Sequence, residues 1–498
     1  MSGSEPLPRA RARTFGVELE FIILWLWDDE PDPYQEWANE LPPILRIPRE
    51  SSIPLPKSHV DGMVYDAICD VLNRHGIPAR RDPPRASEFR VWNAKSDSSI
   101  YLTDEKARWT AVELVSPVES ASPVAFKVIS YVLNLIASTY RIKLNKTCGF
   151  HVHVGDGEER MPLEDVKRVA SLLWAADPII ATLHPSERRT NRYSQSIRER
   201  SPLAQGSKIA DVLSNANHRE DDTCLLYIGR SMRHGEQPIS WRSMNQLQKH
   251  IQAFKDNRSK LDFQPFIYDD TERSSTGKMD SPTAYSVSGP NASEIQARTE
   301  KATKTINDSE VKRSSHPYSS TLRRLGPRFL LPERLPDDES MSTRLDAKAE
   351  SDIGVFAGVS EIFSCESSCV ISLLLETRQR PNYSFFRYRC NDLMDPPWRA
   401  PTIEFREAAG TTSGRWAEVW ASICVGLTHF AIHAPVDVYL SVLFHLDEAT
   451  SGEASYDVVD LLGEVGLFAE SVFAEKRLTQ YKDEWGLKYD SEGENNSH

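Results

Sequence analysis

The stretch Phe15-Gly16-Val17-Glu18-Leu19-Glu20-Phe21 alternates apolar and acidic residues with a period of two. A strand turns successive side chains to opposite faces, so Val17, Leu19 and Phe21 share one face while Glu18 and Glu20 share the other. The same arrangement recurs at Gly149-Phe150-His151-Val152-His153-Val154-Gly155, with His151 and His153 opposite Phe150, Val152 and Val154. It recurs again at Thr402-Ile403-Glu404-Phe405-Arg406, where Glu404 and Arg406 stand against Ile403 and Phe405. This pattern suggests a sheet whose back is apolar and whose front is charged.

Taken singly, each segment has an ordinary explanation. Paired acids are solvated on a half-exposed strand, a lone histidine is usually structural, and a Glu/Arg pair is commonly a surface ion pair. Three strands of one grammar instead suggest a single sheet face carrying Glu18, Glu20, His151, His153, Glu404 and Arg406. Such a face suits cations and phosphates. Carboxylate oxygens are the ligands magnesium prefers, a histidine can complete the site, and Arg meets phosphate oxygens in a bidentate way.

The rest of the chain supplies the layer behind that sheet. Residues 14–24, 109–115 and 148–154 read as strands. Ser122 is a helix N-cap with Pro123 at the first helical position, and Val124, Val128, Tyr131, Val132 and Leu135 form the expected buried stripe. A similar helix is expected over residues 162–183, another through Trp416, Val419, Trp420, Ile423 and Leu427, and a last amphipathic stretch over 456–482.

A chain of 498 residues holds two domains or one with long insertions. Its mean hydropathy of -0.47 requires a polar excess somewhere. Residues 255–347 carry that excess: apolar periodicity vanishes there and Ser, Thr, Lys, Asp and Glu crowd together. The expected organisation is a first core half at 12–200, a connection at 201–254, a disordered polar insertion at 255–347, a second core half at 371–482 and a tail at 483–498.

The formal charge of -13 argues against a nucleic-acid or anionic-membrane binder. No apolar run reaches the ~18 residues that span a bilayer, and no signal peptide is read before Thr14. Seven cysteines without paired spacing fit a reducing compartment, so a cytoplasmic location is expected. Cys365 and Cys369 are too weak a pair to argue for a metal.

In order along the chain these segments resemble the signature blocks of the amidoligase family, within the carboxylate-amine ligase superfamily of glutamine synthetase and glutamate-cysteine ligase. Gly16 to Glu20 resembles the opening block, and Trp92 with Asp97 and Ser99 a Trp…Asp-x-Ser element. Glu113-Leu114-Val115-Ser116-Pro117, Gly149 to Val154, Arg188-Arg189-Thr190-Asn191-Arg192-Tyr193 and Glu404 to Arg406 follow in the family's order. The stretch at 382–398 departs from the family's approach to its last strand, which leaves Asn391 only weakly matched.

The resemblance implies an α+β, glutamine-synthetase-like catalytic domain: an antiparallel sheet funnel with helices packed outside, interrupted here by the polar insertion. It also implies a reaction in which ATP phosphorylates a substrate carboxylate, with magnesium, and an amine then displaces phosphate to give an amide. On that pattern Glu18, Glu20, Glu113, His153 and Glu404 are metal ligands, His151, His153 and Arg406 hold metal or nucleotide phosphates, and Glu404 with Arg406 serves the phosphoryl transfer. Arg188, Asn191 and Arg192 are the candidates for a substrate carboxylate or phosphate. The implied partners are a small-molecule or peptide carboxylate and an amine. No subunit interface can be read. The competing readings are a non-catalytic nucleotide- or peptide-binding descendant, and a metal-dependent hydrolase using the same His and Glu residues around zinc.

Overall fold

The computed structural model describes residues 13–49, 55–81, 90–102, 108–212, 327–331, 348–377, 379–388 and 401–490. Among these described residues the ten strands are β1 (Thr14–Trp27), β2 (Leu45–Ile47), β3 (Ala79–Arg81), β4 (Trp92–Lys95), β5 (Trp109–Val115), β6 (Glu119–Ser120), β7 (Ile142–Lys143), β8 (Gly149–Gly155), β9 (Tyr383–Ser384) and β10 (Ile403–Ala409). They form one open sheet in the order β3-β4-β5-β1-β8-β10-β9, with β2, β6 and β7 also pairing with β1.

The fold is α+β with a mixed sheet. From β4 to β9 every pairing is antiparallel, as expected, but β3 joins β4 and β2 joins β1 in parallel. Parallel neighbours need a connection that carries the chain back along the sheet. Residues 28–44 make that return between β1 and β2.

Period-two alternation decides which face each strand buries. Val17, Leu19, Phe21, Val112, Leu114, Phe150, Val152, Val154, Ile403 and Phe405 join one core with the helices. Those helices are α1 (Lys57–Arg74), α2 (Pro123–Thr139), α3 (Leu163–Ile180) and, later in the chain, Gly414–His433. α1 lies against β3 and β4, Gly414–His433 against β8, and α2 and α3 against Gly414–His433.

The Ser122 hydroxyl accepts from the Ala125 N–H at 3.2 Å with Pro123 next to it, as the sequence required. The buried stripe of α2 is different from the expected one. Ala125, Ile129, Val132, Leu133 and Ile136 point inward, while Val124 is 71% and Tyr131 47% exposed. Lys127, Asn134 and Ser138 are exposed on the opposite side of the helix, so the buried stripe lies about one residue round from the expected one, facing away from these polar positions.

Helices Val355–Ser364, Ser368–Leu375, Val436–Ser451, Val458–Glu464 and Phe468–Tyr481 also join the helical layer; the last amphipathic stretch is thus two helices, broken at Gly466 with its φ of +84°. Of the 255–347 segment only 327–331 lies among the described residues. There Phe329 is buried and its N–H donates to Asp457 at 2.9 Å, and Arg328 pairs with Asp460. The remainder of that segment, Asn391 and residues 491–498 lie outside the described residues. Cys365 and Cys369 are buried thiols. Among the described residues no helix is long and apolar enough to cross a membrane.

The corrected stripe has a measurable consequence. Ile129→Ala removes a fully packed side chain and is expected to cost about 2–5 kcal/mol in urea unfolding, whereas Val124→Ala should stay within about 0.5 kcal/mol.

Candidate active site

Strand register assembles the site. β1 against β8 puts Glu18 opposite His151, β8 against β10 puts His153 opposite Glu404, and β1 against β5 puts Glu20 opposite Glu113. Residues directly opposite share a face, so all of these side chains line the front. The back of every one of these strands is sealed in the core. Beyond Glu20 the front of β1 turns apolar, where Ile22 packs on Ile100 and Cys148 and closes that end of the site.

β10 carries a bulge. Phe405 faces Val152 and Ala408 faces Phe150, which leaves Arg406 and Glu407 together opposite His151. The extra residue lets Arg406 stay beside Glu404 while Ala408 returns to the core. Arg406 Nη1 donates to Glu404 Oε1. Its peptide is held from both sides: the N–H donates to Asn382 O at 2.7 Å, and the carbonyl accepts from Arg188 Nη2 at 2.8 Å.

His151 Nδ1 lies 2.9 Å from Glu18 Oε2, 3.6 Å from Glu20 Oε1 and 3.7 Å from Glu404 Oε1. His153 Nε2 lies 3.2 Å from Glu18 Oε1, with its Nδ1 3.1 Å from Thr402 Oγ1. The Gly149 N–H donates to Glu20 Oε2 at 2.6 Å. Gly149 has no room for a side chain, since a Cβ there would sit 2.5 Å from His151 Nε2 and 2.7 Å from Arg188 Nη2.

Burial alone would raise the Glu18 carboxyl, but His153 and His151 outweigh it and hold Glu18 well below its ordinary value. Glu404 is treated likewise: burial pushes it up, and Arg406 and His153 bring it below the usual carboxylate range. Burial pushes the His153 ring down, yet Glu18 and Glu404 keep it above the ordinary imidazole value. Burial and the nearby Glu18 charge push Glu113 up to about 9 in spite of Lys95.

Glu18, His151 and Glu404 each offer one ligand atom, all within 4.8 Å of one another, and can hold one metal ion. The neighbouring Glu20 Oε1 is buried without a hydrogen-bond partner. An oxygen-rich donor set with one imidazole and an unsatisfied carboxylate oxygen alongside fits a hard divalent cation such as magnesium or manganese.

Residues 11–213 match the family model described as "Putative amidoligase enzyme". Over that stretch the chain is similar to the amidoligase family. No curated protein and no solved structure matches it. The matched segment contributes Glu18, Glu20, Glu113, His151 and His153, while Glu404 and Arg406 come from chain beyond it.

The structure separates the other expected site residues. Arg188 stands behind Arg406, fully desolvated, which lowers its guanidinium to about 10. Asn191 is turned to the fold: its Nδ2 donates to Lys146 O at 2.6 Å and its Oδ1 accepts from the Tyr193 N–H. Arg192 donates to the Tyr101 hydroxyl at 2.6 Å and lies over the Tyr193 ring. Glu113 pairs with Lys95 at 2.9 Å, one strand away from the three-ligand group.

Sequence reading missed what supports the bulge. Asn382 Nδ2 donates to Asp177 Oδ1 at 2.8 Å, while Asp177 Oδ2 accepts from the Ser196 hydroxyl and the Arg198 N–H. The Tyr383 hydroxyl donates to Glu407, itself raised well above the ordinary value by burial. Period-two patterning cannot show these partners, because a bulge breaks the period and Asp177 lies in helix α3.

Burial raises Asp177 from the ordinary 3.8 to about 6 despite its hydrogen bonds. The folded protein therefore holds a proton that the unfolded chain has released, and stability falls as pH rises through about 4 to 6. Relative to Asp177→Asn, wild type should lose about 3 kcal/mol across that window, as measured by urea unfolding at both ends.

Proposed function

We propose that this protein is an ATP- and magnesium-dependent carboxylate-amine ligase that activates an amino-acid or peptide carboxylate as an acyl phosphate and transfers it to an amine. The family match points to an amide-forming ligase. The observation that carries the finer reading is the juxtaposition of the Glu18, His151 and Glu404 ligand atoms with the Arg406 guanidinium on one sheet face.

Bound together, ATP supplies the phosphoryl group and magnesium neutralises the charge of the triphosphate. The residues of the chain do the rest by placement. Glu18, His151 and Glu404 are the cation ligands, with Glu20, Glu113 and His153 flanking them. Glu404 also holds Arg406 toward the cation site, so its guanidinium meets charge that builds on the transferred phosphoryl oxygens. Arg188 and Asn382 fix the Arg406 peptide, so the guanidinium is positioned before substrate arrives. The apolar wall of Ile22, Ile100 and Cys148 limits water on one side, which protects an acyl phosphate from hydrolysis.

The test is release of the ATP γ-phosphate by purified protein across pooled amino acids and short peptides. Substrate-stimulated release is expected to fall roughly 100-fold or more in Glu18→Gln and Arg406→Ala, with Arg406→Lys recovering only part of it, since a point charge replaces the fork. Absence of nucleotide binding would sink the ligase reading in favour of a non-catalytic role. Zinc-dependent hydrolysis without ATP turnover would favour the hydrolase.

Metal dependence gives a separate check. Magnesium or manganese should raise the thermal midpoint of wild type, and Glu18→Gln/Glu404→Gln should abolish the rise.

A further inference from the structure

We infer that the end of the same sheet face beyond Glu113 is a subsite for the α-amino-acid head group of the carboxylate substrate, formed by Asn93 and Lys95 of β4 with Arg80 of β3 beside them. This rests on the ligase reading above for the word substrate, but not for the binding itself.

Register extends the front of the sheet outward. Lys95 stands opposite Glu113, Asn93 opposite Val115, and Arg80 in register with Asn93 on the parallel neighbour. The next residue along β3 confirms the facing: Arg81 pairs with Asp66 of α1 at 3.0 Å, behind the sheet, so Arg80 belongs to the front. Ala94, between Asn93 and Lys95, is fully buried in the core.

Two features of this corner call for a ligand of mixed charge. Asn93 is 5% exposed, and its buried Oδ1 has no hydrogen-bond partner among the described residues. A buried acceptor left so is costly, and only a donor satisfies it. Lys95 Nζ is anchored to Glu113 Oε1 at 2.9 Å with its side chain 35% exposed. An ammonium carries three N–H donors, so it has donors to offer beyond that contact. The two side chains are two residues apart on one strand, roughly 7 Å along it.

A simple anion would satisfy Lys95 and leave Asn93 Oδ1 facing another acceptor. A simple cation would be repelled by Lys95. A zwitterion satisfies both, its α-ammonium donating to Asn93 Oδ1 and its α-carboxylate accepting from Lys95. β4 lies two strands from β1, roughly 10 Å from the Glu18 line. An acidic amino acid seated here therefore extends its side-chain carboxylate toward the cation ligands, where activation takes place.

Calorimetry on the full chain without nucleotide tests this, using L-aspartate, L-glutamate and L-2-aminoadipate as probes and, for the one that binds best, its analogues lacking the α-amino or the α-carboxylate group. At least one amino acid should bind, and each analogue at least tenfold more weakly. Lys95→Met and Asn93→Ala should each lose at least tenfold in amino-acid affinity, Lys95→Arg should restore part of it, and the affinity for a magnesium-bound non-hydrolysable ATP analogue should stay within twofold. Failure of all three amino acids to bind, or unchanged affinity in Lys95→Met and Asn93→Ala, overturns the subsite. A loss that extends equally to the nucleotide overturns it as well, since the damage is then general. Amino-acid binding with these variant losses but no nucleotide binding supports the subsite and removes the ligase reading, so the two fail separately.

Discussion

Charged side chains fixed on one face of a sheet whose other face is sealed by helices cannot move apart, and the remainder of this structure follows from that constraint. Glu18, Glu20 and Glu404 all lie within 3.7 Å of one imidazole nitrogen. Like charges this close in a partly dry environment repel by several kcal/mol at an effective dielectric near 20. They are tolerated because His153 and Arg406 stand among them and because the strands carrying them are locked by Val17, Phe150, Val152 and Phe405 behind. The compensation is incomplete: a buried Glu20 oxygen has no hydrogen-bond partner, and Glu113 is pushed up to about 9. A face prepared at that cost is stabilised by adding positive charge, which is the physical case for a cation there.

The same constraint orders the face from end to end. Lys95 and Arg80 lie on the β4 and β3 side, the carboxylates across β5 and β1, and Arg406 with Arg188 on the β10 side. Positive groups thus flank an acidic centre on both sides, an arrangement that can take an anion at each end and draw both toward one cation. Phosphoryl transfer from a triphosphate to a carboxylate needs that geometry, because both reactants are anions and repel unless each is held.

How much of this was legible in the sequence follows from what period-two alternation can carry. Glu18, Glu20, His151, His153 and Glu404 were readable because the apolar partners between them leave one pleat direction only, and the register then brought the strands together as required. Arg406 was assigned to the right face, although a bulge puts it there together with Glu407. Asn93 and Lys95 obey the same alternation with Trp92 and Ala94, but a four-residue strand is too short to stand out from chance. In α2 the apolar residues on the flanks of the stripe blur its centre by one position, although Lys127, Asn134 and Ser138 mark the outer face. Asn191 shows the other limit: its place in a motif matched, while its side chain is spent tying Tyr193 to Lys146. Partnerships such as Asp177 with Asn382 join residues 205 apart and leave no local trace.

The division of the site along the chain carries a last consequence. Glu18 and His151 belong to the segment that matches the family, and Glu404 to chain well beyond it. β8 is flanked by β1 on one side and β10 on the other, so the three ligand atoms come together only when β10 has docked on β8. That docking depends on the bulge and on Asn382, which reaches from the β10 backbone to Asp177 in α3. The candidate ligand group is therefore completed by the same strand pairing that joins β10 to the sheet, and Asp177 and Asn382 hold that strand in place without touching the ligand atoms.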